Sequence, residues 1–96
     1  ETRHEGVATR VPFQMTMDLM WEWVDDFVLV DDAEIDCAMR LLAEQAKLVA
    51  EGAGAVSLAA ALQMRERLRG KKVVGILTGG NVPSADLAHL LGAQGP

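Results

Sequence analysis

The 96-residue chain has one cysteine, no tyrosine and few aromatic residues: Phe13, Phe27, Trp21 and Trp23. A lone Cys37 excludes an intrachain disulfide and a cysteine metal cluster, and cysteine usage this low suits a reducing compartment, so a cytoplasmic setting is expected. Cys37 falls inside a helical pattern with no histidine near it in sequence, which points to a structural thiol. Basic residues are the minority. Nine Lys and Arg against fourteen Asp and Glu leave a net charge of −5, which argues against binding to a nucleic-acid backbone, since that needs a basic face. The basic run Arg65, Arg67, Arg69, Lys71, Lys72 reads as a solvated helix end whose charge suits the helix dipole. No apolar run approaches the ~20 residues of a membrane span. The opening Glu-Thr-Arg-His-Glu-Gly has no signal-peptide character and no initiator methionine. The chain is therefore expected to be part of something longer.

What is present is a helix-leaning mixture of Ala, Val, Leu and Met, half of the chain being hydrophobic, enough for one small core. Residues 1–13 read as loop. Residues 14–24 read as a short helix after Pro12, with Met15, Leu19 and Trp23 sharing a face. Trp21 and Trp23, two apart, face different ways, so one is expected to be exposed or docked on a missing partner. The apolar run at 27–30 has the pattern of a strand buried on both faces. Asp31 and Glu34 have capping-box spacing, with Val30 and Ile35 as the flanking staple. They open a regular amphipathic helix over 32–49, carried by Ile35, Met39, Leu42, Ala46 and Val49. A second helix, small-residued in its first half, runs from Gly54 to Leu68 or Arg69, with Gly70 as its stop. Residues 73–77 repeat the buried-strand pattern. Thr78-Gly79-Gly80-Asn81 turns, and Ser84 caps a last helix over 85–91. The expected fold is α/β: a partial open parallel sheet flanked by helices. Two strands make an incomplete sheet, so its completion by missing sequence or by another copy of the chain is expected. The whole is one segment, 1–96.

Two short stretches carry possible chemistry. Thr78, Gly79, Gly80 and Asn81 lie at the carboxyl end of an expected strand, where open α/β sheets bind ligands. Glycines there admit close backbone approach, and Thr78 offers a hydroxyl; a plain glycine turn is the alternative. Glu51, ahead of Gly-Ala-Gly-Ala, is either a helix cap or a hydrogen-bonding anchor floored by small side chains. His4 and His89 are isolated. Asp25, Asp26, Asp31 and Asp32 read as caps and turns rather than acid–base pairs, and nothing in the spacing asks for a metal. The five methionines read as core filling.

Taken in order, Glu-Gly-Val-Ala-Thr-Arg-Val-Pro (5–12), Val-Asp-Asp-Phe-Val-Leu-Val-Asp-Asp-Ala-Glu-Ile (24–35), Ala-Met (38–39), Glu-Gly-Ala-Gly-Ala (51–55) and Leu-Thr-Gly-Gly-Asn-Val (77–82) closely resemble the threonine dehydratases. These are serine/threonine ammonia-lyases among the fold-type II pyridoxal-phosphate enzymes. The resemblance covers nearly the whole chain and matches the last third of the family's catalytic region. It implies β-elimination of a hydroxy amino acid to a 2-oxo acid and ammonia, with pyridoxal 5'-phosphate as cofactor.

The resemblance also assigns residues. Thr78 matches the hydroxyl residue, usually Ser, that hydrogen-bonds the cofactor's pyridine nitrogen. Gly79, Gly80 and Asn81 match the loop beside that ring, and Glu51 matches an acidic position near it. Gly6 matches a cofactor-facing loop, although His4-Glu5 stands where the family pattern has Ala-Asp. The family's Schiff-base lysine and phosphate-binding glycine loop lie upstream of the matched region. Lys47, Lys71 and Lys72 match no such motif. The expectation is a chain that supplies cofactor-ring contacts, lacks the lysine and is inactive alone. Its expected partners are a small hydroxy amino acid and the rest of the catalytic domain or a second copy, in a homo-oligomer. A serine racemase or hydroxyaspartate dehydratase of the same family, or a non-catalytic self-associating fragment, are the alternatives.

Overall fold

The computed structural model describes residues 13–92. Helix α1, Gln14–Trp23, begins after an extended Phe13 whose carbonyl takes the Met17 N–H at 3.0 Å. Gln14 donates to Asp18 Oδ1 at 2.7 Å, one turn on. No residue of α1 is buried. The face shared by Met15, Leu19 and Trp23 is exposed, and so are both tryptophans, Trp21 by 80% and Trp23 by 74%. Extended geometry at Val24 ends the helix.

Helix α2, Asp32–Leu41, starts where its capping spacing requires. Asp31 Oδ1 accepts the Glu34 N–H at 2.8 Å, and Glu34 Oε1 accepts the Asp31 N–H at 2.9 Å. The box satisfies two backbone donors that the first helical turn leaves open. Val30, on the other side of the box, packs against the core that contains Ile35. Glu34 also accepts from Gln63 Nε2 at 3.1 Å, and Gln63 donates to the Leu29 carbonyl at 2.7 Å. The far end of the next long helix is thereby tied to this start. Replacing Asp31 with Ala is expected to cost about 1 kcal/mol. Equilibrium urea unfolding should show a lower midpoint with an unchanged slope.

The helix expected over 32–49 is shorter. It widens into a π-helical turn at Leu42–Ala46 and stops at Lys47, which is left-handed (φ 60°, ψ 34°). Lys47 Nζ donates to the Glu44 carbonyl at 2.8 Å, satisfying an acceptor that the helix end leaves open. Val49 therefore lies beyond the helix and is half exposed.

Helix α3, Gly52–Gln63, starts two residues before the expected Gly54. Met64 (φ −100°, ψ 15°) interrupts it, and the short helix α4, Arg65–Leu68, follows. Gly70, at φ +78°, is the expected stop: the left-handed conformation suits a residue without Cβ. Helix α5, Ser84–Gly92, begins one residue earlier than expected, its first turn closed by the Leu87 N–H on the Pro83 carbonyl at 3.1 Å. The core is small and helical. Ile35, Ala38, Met39 and Leu42 from the second helix and its π turn meet Ala55 and Ala59 of α3 and Leu90 of α5. Met39 is the methionine buried there; Met15 is 76% exposed.

The expected α/β fold, a partial open parallel sheet flanked by helices, is not what forms. Among the described residues there is no strand, and the architecture is helical. Among the described residues, 27–30 and 73–77 pair neither with each other nor with another segment. Leu29 is 90% exposed, Val74 92% and Ile76 74%. A continuous apolar run marks a buried strand only where a ladder and covering layers exist, and here neither segment finds an edge. Their backbones are held by isolated bonds instead, Gln63 to Leu29 and Ser57 to Ile76.

Candidate functional site

The site is built where the segment after Lys72 runs back along α3. Glu51 is the residue ahead of α3, and its side chain does not cap the helix. Its backbone N–H donates instead to the Gly79 carbonyl at 3.0 Å. Three glycines make the approach possible. A Cβ on Gly54 would stand 2.6 Å from the Gly79 oxygen and 3.1 Å from its nitrogen. A Cβ on Gly79 would strike Glu51 Oε1, and one on Gly80 would strike the Val49 carbonyl oxygen. The small residues of α3 thus admit another stretch of backbone at van der Waals range. Farther along, the Ser57 hydroxyl donates to the Ile76 carbonyl at 3.1 Å.

The structure therefore brings Glu51, Gly79 and Gly80 together. Glu51 and Gly79 are half-buried, whereas Thr78, Gly80 and Asn81 are exposed. The Val82 N–H closes on the Gly80 carbonyl at 3.0 Å, a tight turn about Asn81. Gly6 lies outside the described residues. Among the described residues no group of His, Cys, Asp and Glu is arranged to hold a metal, and no helix is long and apolar enough to cross a membrane.

Two participants were not singled out from the sequence. Val49 read as a core residue, yet its carbonyl backs Gly80. Ser57 was one of many small side chains. The signal for it was Gly75: a glycine inside an apolar run marks close backbone approach. Here the approach is to Ser57, whose Oγ would lie 3.0 Å from a Cβ at Gly75.

Chemically, the loop offers a neutral hydroxyl at Thr78 and an amide at Asn81, both open to solvent, on a backbone braced by α3 with the Glu51 carboxylate against it. Such groups are able to hydrogen-bond a small polar ligand. Comparison with known proteins gives the family. The family of pyridoxal-phosphate-dependent enzymes matches residues 1–79, which include Glu51, Thr78 and Gly79, and the chain belongs to that family. The chain is similar to an L-threonine ammonia-lyase of Thermotoga maritima, 44% identical over 84% of this chain and 20% of the relative. It is also similar to the catabolic L-threonine dehydratase TdcB of Staphylococcus aureus strain N315, 40% identical over 92% of this chain and 25% of the relative. The chain thus spans a fifth to a quarter of the length of these relatives.

Proposed function

We propose that this chain is the carboxyl-terminal part of the catalytic region of a threonine or serine dehydratase. That enzyme converts a small hydroxy amino acid to a 2-oxo acid and ammonia, and the lysine that bonds the cofactor lies on sequence outside this chain. The observation that carries the reading is the similarity to the two relatives over most of this chain; the loop, where an exposed Thr78 stands next to a Gly79 tied to the start of α3, is compatible with it. The residues fit pyridoxal phosphate through their donor chemistry. Bound there, the cofactor supplies the electron sink for α-proton removal and loss of the β-hydroxyl.

The chain's own residues have narrower work. Thr78 would donate a hydrogen bond from its hydroxyl to the pyridine nitrogen. A neutral donor at that atom would leave the nitrogen unprotonated, where a carboxylate would stabilise the pyridinium. Gly79, Gly80 and Asn81 would form the wall beside the ring, with Glu51 behind the loop. Similarity to the two threonine-acting relatives supports the substrate class.

The test is made on the complete enzyme carrying this chain, with pyridoxal phosphate and L-threonine or L-serine. Release of 2-oxo acid and ammonia is expected. Loss of one neutral hydrogen bond in Thr78→Val should lower kcat by about tenfold, with Thr78→Ser close to the parent. Equal rates in Thr78→Val and the parent would remove Thr78 from the site, and absence of any 2-oxo acid would sink the dehydratase reading.

A further inference from the structure

Thr78 hangs between two fixed points. One residue after it, the Gly79 carbonyl takes the Glu51 N–H; two residues before it, the Ile76 carbonyl takes the Ser57 hydroxyl. The spacings agree. Six helical residues, from Glu51 to Ser57, rise about 9 Å. Three residues, from Ile76 to Gly79, span at most about 10 Å. The segment therefore runs antiparallel to α3 and is tied to it at both ends.

The Ser57 end depends on a side chain. Inside a helix the backbone N–H groups are already donated to carbonyls of the previous turn, so α3 has no main-chain donor left at that height. A serine in a helix interior ordinarily bonds back to its own helix. Ser57 spends its single O–H across the gap instead. Gly75 lets it do so: a Cβ there would stand 3.0 Å from Ser57 Oγ and 3.3 Å from its Cβ.

We infer that Ser57 is a positioning residue, whose hydroxyl sets the height at which the chain presents the Thr78 hydroxyl to the cofactor ring. The role of Thr78 in this inference rests on the proposed function; the hold of Ser57 on residues 75–80 does not. Ser57 acts through the Ile76 carbonyl, to which its hydroxyl donates.

The experiment uses the complete enzyme and three variants. Ser57→Thr and Ser57→Val share a shape and differ in the hydroxyl, and Ser57→Ala removes the hydroxyl without adding bulk. Amide hydrogen exchange of Glu51, whose N–H is held by the Gly79 carbonyl, is followed in cofactor-free protein, and pyridoxal phosphate affinity is followed by its absorption and fluorescence. In Ser57→Val and Ser57→Ala, exchange of the Glu51 amide should quicken by about three- to tenfold, with affinity and kcat falling by a similar factor and KM for L-threonine unchanged. Ser57→Thr should restore all of these. Equal Glu51 exchange in Ser57→Ala and the parent would overturn the inference, as would quickened exchange with cofactor absorption, affinity and kcat all at parental values. A parent enzyme that takes up no pyridoxal phosphate would sink the proposed function and with it the link to Thr78, while the exchange arm would still report whether Ser57 holds the segment.

Discussion

Gly54→Ala should break the site while leaving the helix that carries it intact. The added Cβ would stand 2.6 Å from the Gly79 carbonyl oxygen. That obstacle is backbone, itself tied to the Glu51 N–H at 3.0 Å, so neither side has a flexible end that can swing away. Alanine is the better helix former, by up to about 1 kcal/mol in a helix interior. Gly54 lies in the first turn of α3, where that gain is smaller. Overpacking against fixed atoms costs about 1–3 kcal/mol, and it wins. The strain is relieved by lifting the 78–80 loop off α3. In the complete enzyme, pyridoxal phosphate affinity should therefore fall by roughly ten- to a hundredfold, with helical circular dichroism undiminished. Gly79→Ala is the informative contrast. Its Cβ would meet the end of the Glu51 side chain, which can rotate clear, so the loop should stay in place and the loss should be smaller. Affinity equal to the parent's in Gly54→Ala would mean that the loop is not pinned where the structure puts it.

The same geometry shows which parts of the molecule were legible in the sequence. The start of α2 was, because Asp31 and Glu34 satisfy each other over three residues and need nothing distant. The stop at Gly70 was legible for a similar reason: a left-handed residue is a local requirement. The end of α2 was not, since Lys47 adopts φ 60° without being glycine, and no local pattern announces that. The two apolar runs misled. Composition describes what a segment is able to bury, but pairing depends on whether a partner edge is within reach, and residues 27–30 and 73–77 find none among the described residues.

The candidate site was legible in its residues and less so in its logic. Glycines at 79 and 80 suggested room for a ligand. In the structure their missing side chains make room first for Glu51 and Val49 of the same chain. Glu51 read as a helix cap or as an anchor. Its side chain is not a cap, and its backbone is the anchor. That distinction lies in a hydrogen bond between residues 28 apart in sequence, which no short window contains. Resemblance to a family located the segment, and the contacts along α3 show what Gly54 and Ser57 do in it.

The second large effect should come from the seam that makes this packing possible. Ala38 and Ala55 are fully buried and Ala59 is 1% exposed, so α2 and α3 meet through methyl groups. Close approach of two helices is what small side chains permit, and it leaves no space for a larger one. Ala59→Leu inserts three carbons into that seam, at a cost of about 1–3 kcal/mol. Net stabilities are only about 5–15 kcal/mol, and the alanines Ala38, Ala55 and Ala59 at this seam are buried with no space beside them for a larger side chain. Thermal unfolding of the complete enzyme should shift markedly downward for the domain containing α3. The displacement should also reach the site, because α3 carries both Ser57 and, at its start, the Glu51 anchor for Gly79. Ala59→Gly separates the two consequences. It removes a methyl without pushing the helices apart, so it should weaken the domain while the Glu51 amide, held by the Gly79 carbonyl, keeps its parental exchange. Ala59→Leu should both weaken the domain and quicken that exchange. An Ala59→Leu enzyme with parental melting would show that α2 and α3 do not meet as closely as the buried alanines require.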